Sequence, residues 1–198
     1  MYRTFKTAST AKPTNLLPTM FSKSKKEIFH RLLDQSTAYF EWGCGGSTAI
    51  ASQFPNLQVM SVESDAEWAN RVSEICPNAT VKHCDIGPTK EFGYPTDDTK
   101  RAQWPEYAEQ WLQTPLSPDV VLIDGRFRVA CAALICLHPK QVKTVCFDDF
   151  TDRHQYQVIK PFIQIHQTFD NMITWRPKTG VDRVALQELY DSYKFDPA

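Results

Sequence analysis

The sequence has no long apolar run, almost no net charge and no signal for export. Because it lacks a stretch of about 18 apolar residues, we expect no transmembrane helix. Positive and negative side chains nearly cancel, and a net charge of −1 argues against a surface built for membranes or for long nucleic acids. The N-terminus has no apolar core followed by small residues, so we expect no signal peptide and a cytoplasmic protein.

Closely paired cysteines are also absent. Zinc sites commonly draw on cysteines in C-x-x-C spacing, and none of the six cysteines has such a partner, which argues against zinc. Several lie in apolar stretches, a placement typical of buried free thiols in a reducing compartment. The six are Cys44, Cys76, Cys84, Cys131, Cys136 and Cys146.

The N-terminal stretch differs in composition from the rest of the chain. It is rich in Ser, Thr and basic residues, among them Arg3, Lys6 and Lys12. We interpret residues 1–23 as a solvated basic arm and residues 24–198 as a single domain, long enough for one hydrophobic core. A transit peptide has a similar composition and remains the alternative for the arm.

Short apolar runs alternate with helical patterns along the domain. This alternation predicts an α/β fold with an open, mostly parallel sheet and helices on both faces. The predicted strands are 38–42, 57–62, 80–84, 119–124 and 144–148, followed by an antiparallel hairpin of 171–175 and 182–189. The predicted helices are 24–33 (capped by Ser24), 47–53, 66–75, 104–112, 126–137 and 152–165. In such a sheet the ligand lies at the carboxyl ends of the strands.

A glycine-rich turn follows the first predicted strand. Glu41 precedes Gly43, Gly45 and Gly46 in the pattern Glu-x-Gly-x-Gly-Gly. Glycines let the backbone turn sharply and approach a ligand without a Cβ in the way. Glu63 ends the second strand about 20 residues later, where a carboxylate accepts hydrogen bonds from both hydroxyls of a ribose. The alternative for Glu63 is an acid favoured by the dipole of the following helix.

These motifs, taken in order, resemble those of class I S-adenosylmethionine-dependent methyltransferases. The resemblance adds Asp85 after the third strand, Asp-Gly-Arg-Phe-Arg at 124–128 and Phe-Asp-Asp-Phe at 147–150, and it covers residues 24–189. It implies a Rossmann-like methyltransferase fold with a seven-stranded sheet, and S-adenosylmethionine as cofactor. The alternative for Asp85 is a loop acid that begins an Asx-turn. The cofactor-binding residues implied are Glu41, Gly43, Cys44, Gly45, Gly46, Ser47, Glu63, Ser64, Cys84, Asp85, Asp124 and Gly125.

Acidic residues end the fourth and fifth predicted strands. Asp124 and the pair Asp148-Asp149 converge on one space, where like charges require compensation by a proton, an arginine or a metal ion. The candidate counter-ions are Arg126, Arg128 and Arg153. The arrangement also resembles the magnesium site of catechol-type and macrocin-type O-methyltransferases, which implies Mg²⁺ held by all three aspartates. Alternatively, Asp124 contacts the donor's amine or the acceptor, and the following pair is structural.

The sequence departs from the catechol-type pattern at the catalytic base. Those enzymes carry a Lys or His three residues after the strand-four acid, where this chain has Phe127. His154 is the candidate replacement, and its alternative is an exposed residue on a helix's first turn; otherwise Asp124 or Asp149 accepts the proton. The long segment 86–105 is predicted to form a lid or an acceptor wall. Its aromatic residues include Phe92, Tyr94 and Trp104.

Together these features predict an S-adenosylmethionine-dependent O-methyltransferase that acts on a hydroxyl of a small molecule or of a glycan sugar. Two other classes remain open: an aminopropyltransferase, whose polyamine pocket the aspartates would supply, and a methyltransferase-like binding module without catalysis. The chain lacks the Asn/Asp-Pro-Pro-Tyr/Phe motif of base N-methyltransferases, which argues against a nucleic-acid substrate.

Overall fold

The structure is a computed structural model that describes residue 17 and residues 19–198. Most of the predicted basic arm lies outside the described residues, and the boundary after residue 23 stays a prediction. The part of this segment that is described packs onto the domain, since Leu17 and Phe21 are buried. No helix in the described part of the chain is both long enough and apolar enough to cross a membrane.

A mostly parallel sheet forms the centre of the described chain. Its strands, together with those of a small separate hairpin, are β1 (Ala38–Trp42), β2 (Gln58–Glu63), β3 (Ala79–His83), β4 (Thr89–Lys90), β5 (Tyr94–Pro95), β6 (Val120–Ile123), β7 (Thr144–Phe147), β8 (Ile163–Phe169) and β9 (Met172–Pro177). Seven of these strands pair in the order β3-β2-β1-β6-β7-β9-β8, while β4 pairs with β5. The first five run parallel, and β9 is antiparallel to β7 and β8.

Helices connect most of these strands. The α-helices are α1 (Lys23–Asp34), α2 (Gly46–Ala51), α3 (Ala66–Ile75), α4 (Pro105–Gln113), α5 (Arg128–Leu137) and α6 (Arg183–Tyr193). The 3-10 helices are Glu91–Gly93, Arg101–Gln103 and His154–Phe162. The side chains of Ser22, Asp65 and Asp182 cap α1, α3 and α6 by accepting backbone N–H groups two or three residues later. The first helix is therefore capped by Ser22, whereas the sequence predicts Ser24 as its cap.

Hydrophobic layers cover both faces of the sheet. Phe40 and Trp42 of β1 face the layer that contains α4, α5 and α6. Tyr39, between them, faces the opposite layer and packs edge-on against Phe29 of α1 at 5.4 Å between ring centroids. Strands with apolar residues on both faces are typical of a parallel sheet between two helical layers. Because both faces are covered, a ligand has to bind at the edge formed by the strand ends.

The closing hairpin differs from its prediction. It consists of β8 and β9, joined by a turn at Asp170, whose φ of +54° suits a tight connection. Residues 182–189, predicted as a strand, lie in α6, because Asp182 caps a helix there. The predicted helix at 152–165 is a 3-10 helix followed by the start of β8; Pro161 near its end has no N–H to continue a helical ladder. The other predicted strands and helices agree within two residues at each end.

Candidate functional site

The carboxyl edge of the sheet brings the predicted site residues together. From β1 the chain continues to β2 and β3 on one side, whereas β6 and β7 lie on the other side. Loops that leave neighbouring strands in opposite directions separate and form a crevice suited to a ligand. Glu63 ends β2 on one side of this crevice, and Asp124 and Asp148 follow β6 and β7 on the other.

The glycine turn after β1 packs directly against the turn after β6. Gly43 has a φ of +90°, and a Cβ on it would lie 2.8 Å from the Gly125 Cα atom. A Cβ on Gly125 would likewise lie 2.8 Å from the Gly43 nitrogen. A side chain at either position would therefore displace backbone, which costs stability. The Tyr107 hydroxyl closes the same contact, since a Cβ on Gly125 would overlap with it.

Glu41 lies beneath the glycine turn. Its carboxylate is fully buried and accepts hydrogen bonds from four hydroxyl groups. These belong to Tyr39, Ser47, Thr48 and Ser61. Burial raises the pKa of Glu41, while the bonds from Ser47 and Ser61 lower it. Glu41 and Ser47 are predicted to contact the cofactor, and in the structure Ser47 donates a hydrogen bond to Glu41, which acts here as a positioning residue.

One member of this network reaches the glycine turn itself. The Thr48 hydroxyl accepts a hydrogen bond from the Gly45 N–H at 2.8 Å and donates to Glu41 at 2.5 Å. The chain Glu41–Thr48–Gly45 thus fixes the entry into α2. The hydroxyls at 47 and 48 stand six and seven residues after the acid, and this spacing could have indicated the network from the sequence.

Glu63 connects the end of β2 to the glycine turn. Its carboxylate accepts hydrogen bonds from the backbone N–H groups of Cys44 at 3.1 Å, Ser64 at 2.7 Å and Asp65 at 3.0 Å. The Ser64 hydroxyl donates to the Gly93 carbonyl at 3.0 Å, which places the β4–β5 hairpin over this acid. Glu63 is consequently only 7% exposed. It occupies the predicted position, with the hairpin as its cover.

An open cavity of about 580 Å³ lies beyond Ser64, between the ends of β2 and β3. Asp85 is one of its lining residues and pairs with Lys100 at the surface. Cys84, next to it, is buried, and burial raises the pKa of its thiol to about 12. Burial also raises the pKa of the Cys44 thiol. All six cysteines are free and buried, as predicted, so neither thiol near the crevice is a reactive nucleophile.

The three aspartates after β6 and β7 are compensated by basic side chains. Arg128 contacts Asp124 at 3.1 Å and Asp149 at 3.3 Å. Asp149 also pairs with Arg153 at 3.0 Å. This confirms Arg128 and Arg153 as counter-ions, whereas Arg126 forms no ion pair with any described carboxylate.

Asp148 has a partner that the sequence analysis missed. Lys25 of α1 lies 2.5 Å from its carboxylate, and the two side chains are only 7% and 9% exposed. Nothing in the sequence around Lys25 distinguishes it from Lys23 and Lys26, which are not buried. Only the fold brings its ammonium to the carboxyl end of β7.

The described residues therefore do not support the predicted magnesium site. The described residues contain no group of three His, Cys, Asp or Glu side chains placed to hold a metal ion. Asp124, Asp148 and Asp149 do gather at one edge, but each carboxylate is directed to a basic side chain. Basic side chains thus compensate the charges of all three aspartates.

Asp124 remains suited to proton transfer. The pKa of its carboxyl is raised to about 7, chiefly by burial and also by the charges of Asp148 and Asp149, while Arg128 lowers it. About a third of its side chain stays accessible, so a bound molecule can reach it. A carboxyl that titrates near neutral pH is a suitable general base.

His154 does not lie with these carboxylates. It is exposed at the start of a 3-10 helix and lines a separate cavity of about 400 Å³ with Gln157, Lys160 and Ile165. The described residues give its ring no hydrogen-bond partner that would orient it. The predicted alternative, an exposed histidine on a first helical turn, describes it better than the role of base.

The aromatic residues of the segment 86–105 have three different surroundings. Phe92 is 83% exposed. Trp104 is buried, and its indole N–H donates to the Ile86 carbonyl at 2.8 Å. Tyr94 lies under the guanidinium of Arg126, whose Cζ is 3.9 Å from the ring centroid. This segment packs over the crevice. It reaches the Glu63 side through Gly93 and the Arg126 side through Tyr94.

The fold is shared with a structure that has been solved. No family model matches this chain, and no curated protein matches its sequence. The crystal structure of a methyltransferase-like protein from Silicibacter pomeroyi DSS-3 superimposes with a TM-score of 0.82 and 26% identity, over 91% of this chain and 98% of that chain. The chain therefore has the predicted Rossmann-like methyltransferase fold.

Two other solved structures are more distant. A TehB-like SAM-dependent methyltransferase from Corynebacterium glutamicum ATCC 13032 Kitasato has a TM-score of 0.42 and 10% identity, over 76% of this chain and 87% of that chain. The 23S rRNA methyltransferase ErmE has a TM-score of 0.41 and 13% identity, over 91% and 78%. Neither is similar enough to support an argument about the acceptor.

Proposed function

We propose that this protein is an S-adenosylmethionine-dependent methyltransferase that methylates a hydroxyl group of a small molecule or a glycan sugar. The observation that carries the proposal is the hydrogen bond from the Cys44 N–H to the Glu63 carboxylate, at 3.1 Å. It joins a glycine turn to a ribose-type acid at the crevice of the sheet, in a fold shared with a methyltransferase-like protein. S-adenosylmethionine, when bound, supplies an activated methyl group on a sulfonium.

The residues of the crevice fit such a nucleoside. Gly43 and Gly125 let the turns after β1 and β6 meet closely at the crevice. The Glu63 Oε2 atom accepts a described hydrogen bond only from the Cys44 N–H, so it can accept another from a ribose hydroxyl. Access to Glu63 requires the β4–β5 hairpin to shift, because the Gly93 backbone covers it and accepts a hydrogen bond from Ser64. When the hairpin then returns to its place, it would close the crevice over the ligand and exclude water.

Asp124 is the group that we assign to the acceptor's proton. In this assignment a carboxylate oxygen of Asp124 would take the hydroxyl proton as the acceptor oxygen gains the methyl group. Bound S-adenosylmethionine would supply that methyl group, with a neutral thioether as the leaving group. Asp149 is less suited to this role, because Arg128, Arg153 and Asn171 already contact its carboxylate.

This arrangement favours aminopropyl transfer to a polyamine less than it favours methyl transfer. A polyamine requires acidic groups that are free to bind its ammonium groups. The aspartates that could supply them are paired with Lys25, Arg128 and Arg153. A binding module without catalysis is the second candidate, and turnover on any acceptor would exclude it.

Replacing Glu63 with glutamine should weaken binding of S-adenosylhomocysteine by about 1–3 kcal/mol, roughly 5- to 150-fold. The amide retains the shape but loses the charge and one acceptor oxygen. Isothermal titration calorimetry measures this affinity, and thermal unfolding checks that the variant is folded. Glu74→Gln, on the exposed face of α3, is the matched control and should bind like the wild type. Equal affinity in Glu63→Gln would contradict the ribose role.

A further inference from the structure

Arg126 is a buried cation without a counter-ion. The residue is 4% exposed, and no described carboxylate lies within ion-pair distance of it. Its Nε atom has no hydrogen-bond partner among the described residues. Its guanidinium makes one described hydrogen bond to a backbone carbonyl, a long one from a terminal nitrogen to Pro197 at 3.5 Å. A buried guanidinium in this state is costly unless something else neutralises it.

A second buried polar group nearby is also unsatisfied. The hydroxyl of Tyr156 has no hydrogen-bond partner among the described residues, although the side chain is fully buried. The Cζ atoms of Arg128 and Arg153 each lie 5.8 Å from its ring centroid. Burial raises the pKa of Tyr156, and the positive charges of Arg128, Arg153 and Arg126 oppose the rise. The Tyr156 ring therefore lies beside Arg128 and Arg153, and Arg126 is close enough for its charge to act on the phenol.

Tyr94 connects two of these arginines. Its ring lies against the Arg126 guanidinium, at 3.9 Å from Cζ to the ring centroid. Burial raises the pKa of its phenol, but the charge of Arg126 and hydrogen bonding from Arg153 and Arg126 outweigh burial, so the pKa lies below its usual value. The surroundings of this phenol thus favour negative charge.

The local charges do not balance. Lys25, Arg128 and Arg153 are matched by Asp148, Asp124 and Asp149, so that Arg126 is the cation in excess. A planar guanidinium with unused donors suits the oxygens of a phosphate or a carboxylate. These residues follow β6 and β7, across the crevice from Glu63 and the glycine turn.

We infer that Arg126, Arg153 and the Tyr156 hydroxyl form a binding site for an oxyanion, a phosphate or carboxylate group carried by the methyl acceptor. The assignment of this site to the methyl acceptor rests on the proposed function. The assignment to an anion rests on the unpaired donors. The carboxylate of the donor's amino acid end has the same chemistry. Its expected place is beside the glycine turn, on the other side of the crevice.

Titration with inorganic phosphate and with acetate, at constant ionic strength, tests the site. Calorimetry should show binding of at least one of these anions to the wild type, about tenfold weaker or more in Arg153→Gln, which removes one charged donor. Arg153 is about one-third exposed, so this variant should fold even if Arg126→Gln does not. Arg31→Gln removes an exposed arginine of α1 and should bind like the wild type. Absence of binding, or equal binding in Arg153→Gln, would overturn the inference.

A parallel titration with S-adenosylhomocysteine identifies the source of the anion. We expect Arg153→Gln to retain wild-type affinity for this ligand, because its carboxylate binds elsewhere. A loss of affinity equal to the loss for phosphate would assign the site to the donor and overturn the acceptor assignment. Failure of the wild type to bind S-adenosylhomocysteine would contradict the proposed function alone, since the phosphate titration still reports on the anion site.

Discussion

Asp124→Asn should lower the kcat of methyl transfer by about 100- to 10,000-fold, the usual contribution of a positioned general base. The amide has nearly the same shape but cannot accept the acceptor's proton. Arg128 should stay in place, because it also donates to the backbone carbonyls of Gly125 at 2.9 Å, Asp148 at 2.9 Å and Asp124 at 2.8 Å. Steady-state kinetics measures the loss, and calorimetry with S-adenosylhomocysteine should show nearly unchanged donor binding.

The pH dependence provides a second test of the same residue. A general base acts in its deprotonated form, and the pKa of Asp124 is raised to about 7. Activity of the wild type should therefore rise as the pH increases through about 7 and then level off. Asp124→Asn should lack this rise. A variant that retains full activity, or one with the same acidic limb as the wild type, would remove Asp124 from the mechanism.

The positions of the acids could be predicted from the sequence because they depend on a local rule. Glu63, Asp124 and Asp148 each stand at the end of an apolar strand, and the ends of parallel strands share one edge of the sheet. What neutralises them depends on distant parts of the chain. Lys25 precedes Asp148 by 123 positions, and it stands among other lysines, Lys23 and Lys26, which are not buried. From the sequence alone, the same acids therefore predict a metal site.

The same contrast explains Glu41 and the closing hairpin. The sequence predicts that Glu41 contacts the cofactor. In the structure, hydroxyls from its own strand β1, from β2 and from α2 enclose it. The strand β8 has one buried end and a mostly exposed middle, so its pattern resembles the end of an amphipathic helix. Residues 182–189 have an apolar pattern that a strand could share, and only the cap at Asp182 distinguishes α6. In each case a contact or a cap decided what periodicity left open.

Lys25→Met should lower the free energy of unfolding by about 3–5 kcal/mol, the cost of leaving one member of a buried ion pair unpaired. The Asp148 carboxylate, with 9% of its side chain exposed, would lose the ammonium at 2.5 Å. Urea denaturation measures the change. The double variant Lys25→Met/Asp148→Asn should recover much of the loss, because it removes the unpaired charge as well.

Lys23→Met, on the same helix, is the matched control. Its ammonium is 3.9 Å from Glu27, and the two side chains are 93% and 62% exposed, so this pair should contribute less than about 1 kcal/mol. Equal destabilisation by the two substitutions would show that the Lys25–Asp148 pair is not the cause.

The Lys25 variant should also change the chemistry of Asp124. The charge of Asp148 already raises the pKa of Asp124. Without the ammonium of Lys25, this negative charge is no longer offset, and Asp124 should hold its proton to a higher pH. The acidic limb of the activity profile should then move upward in Lys25→Met and downward in Asp148→Asn. Opposite shifts from the two members of one ion pair would show that α1, at the far side of the sheet, tunes the base through Asp148.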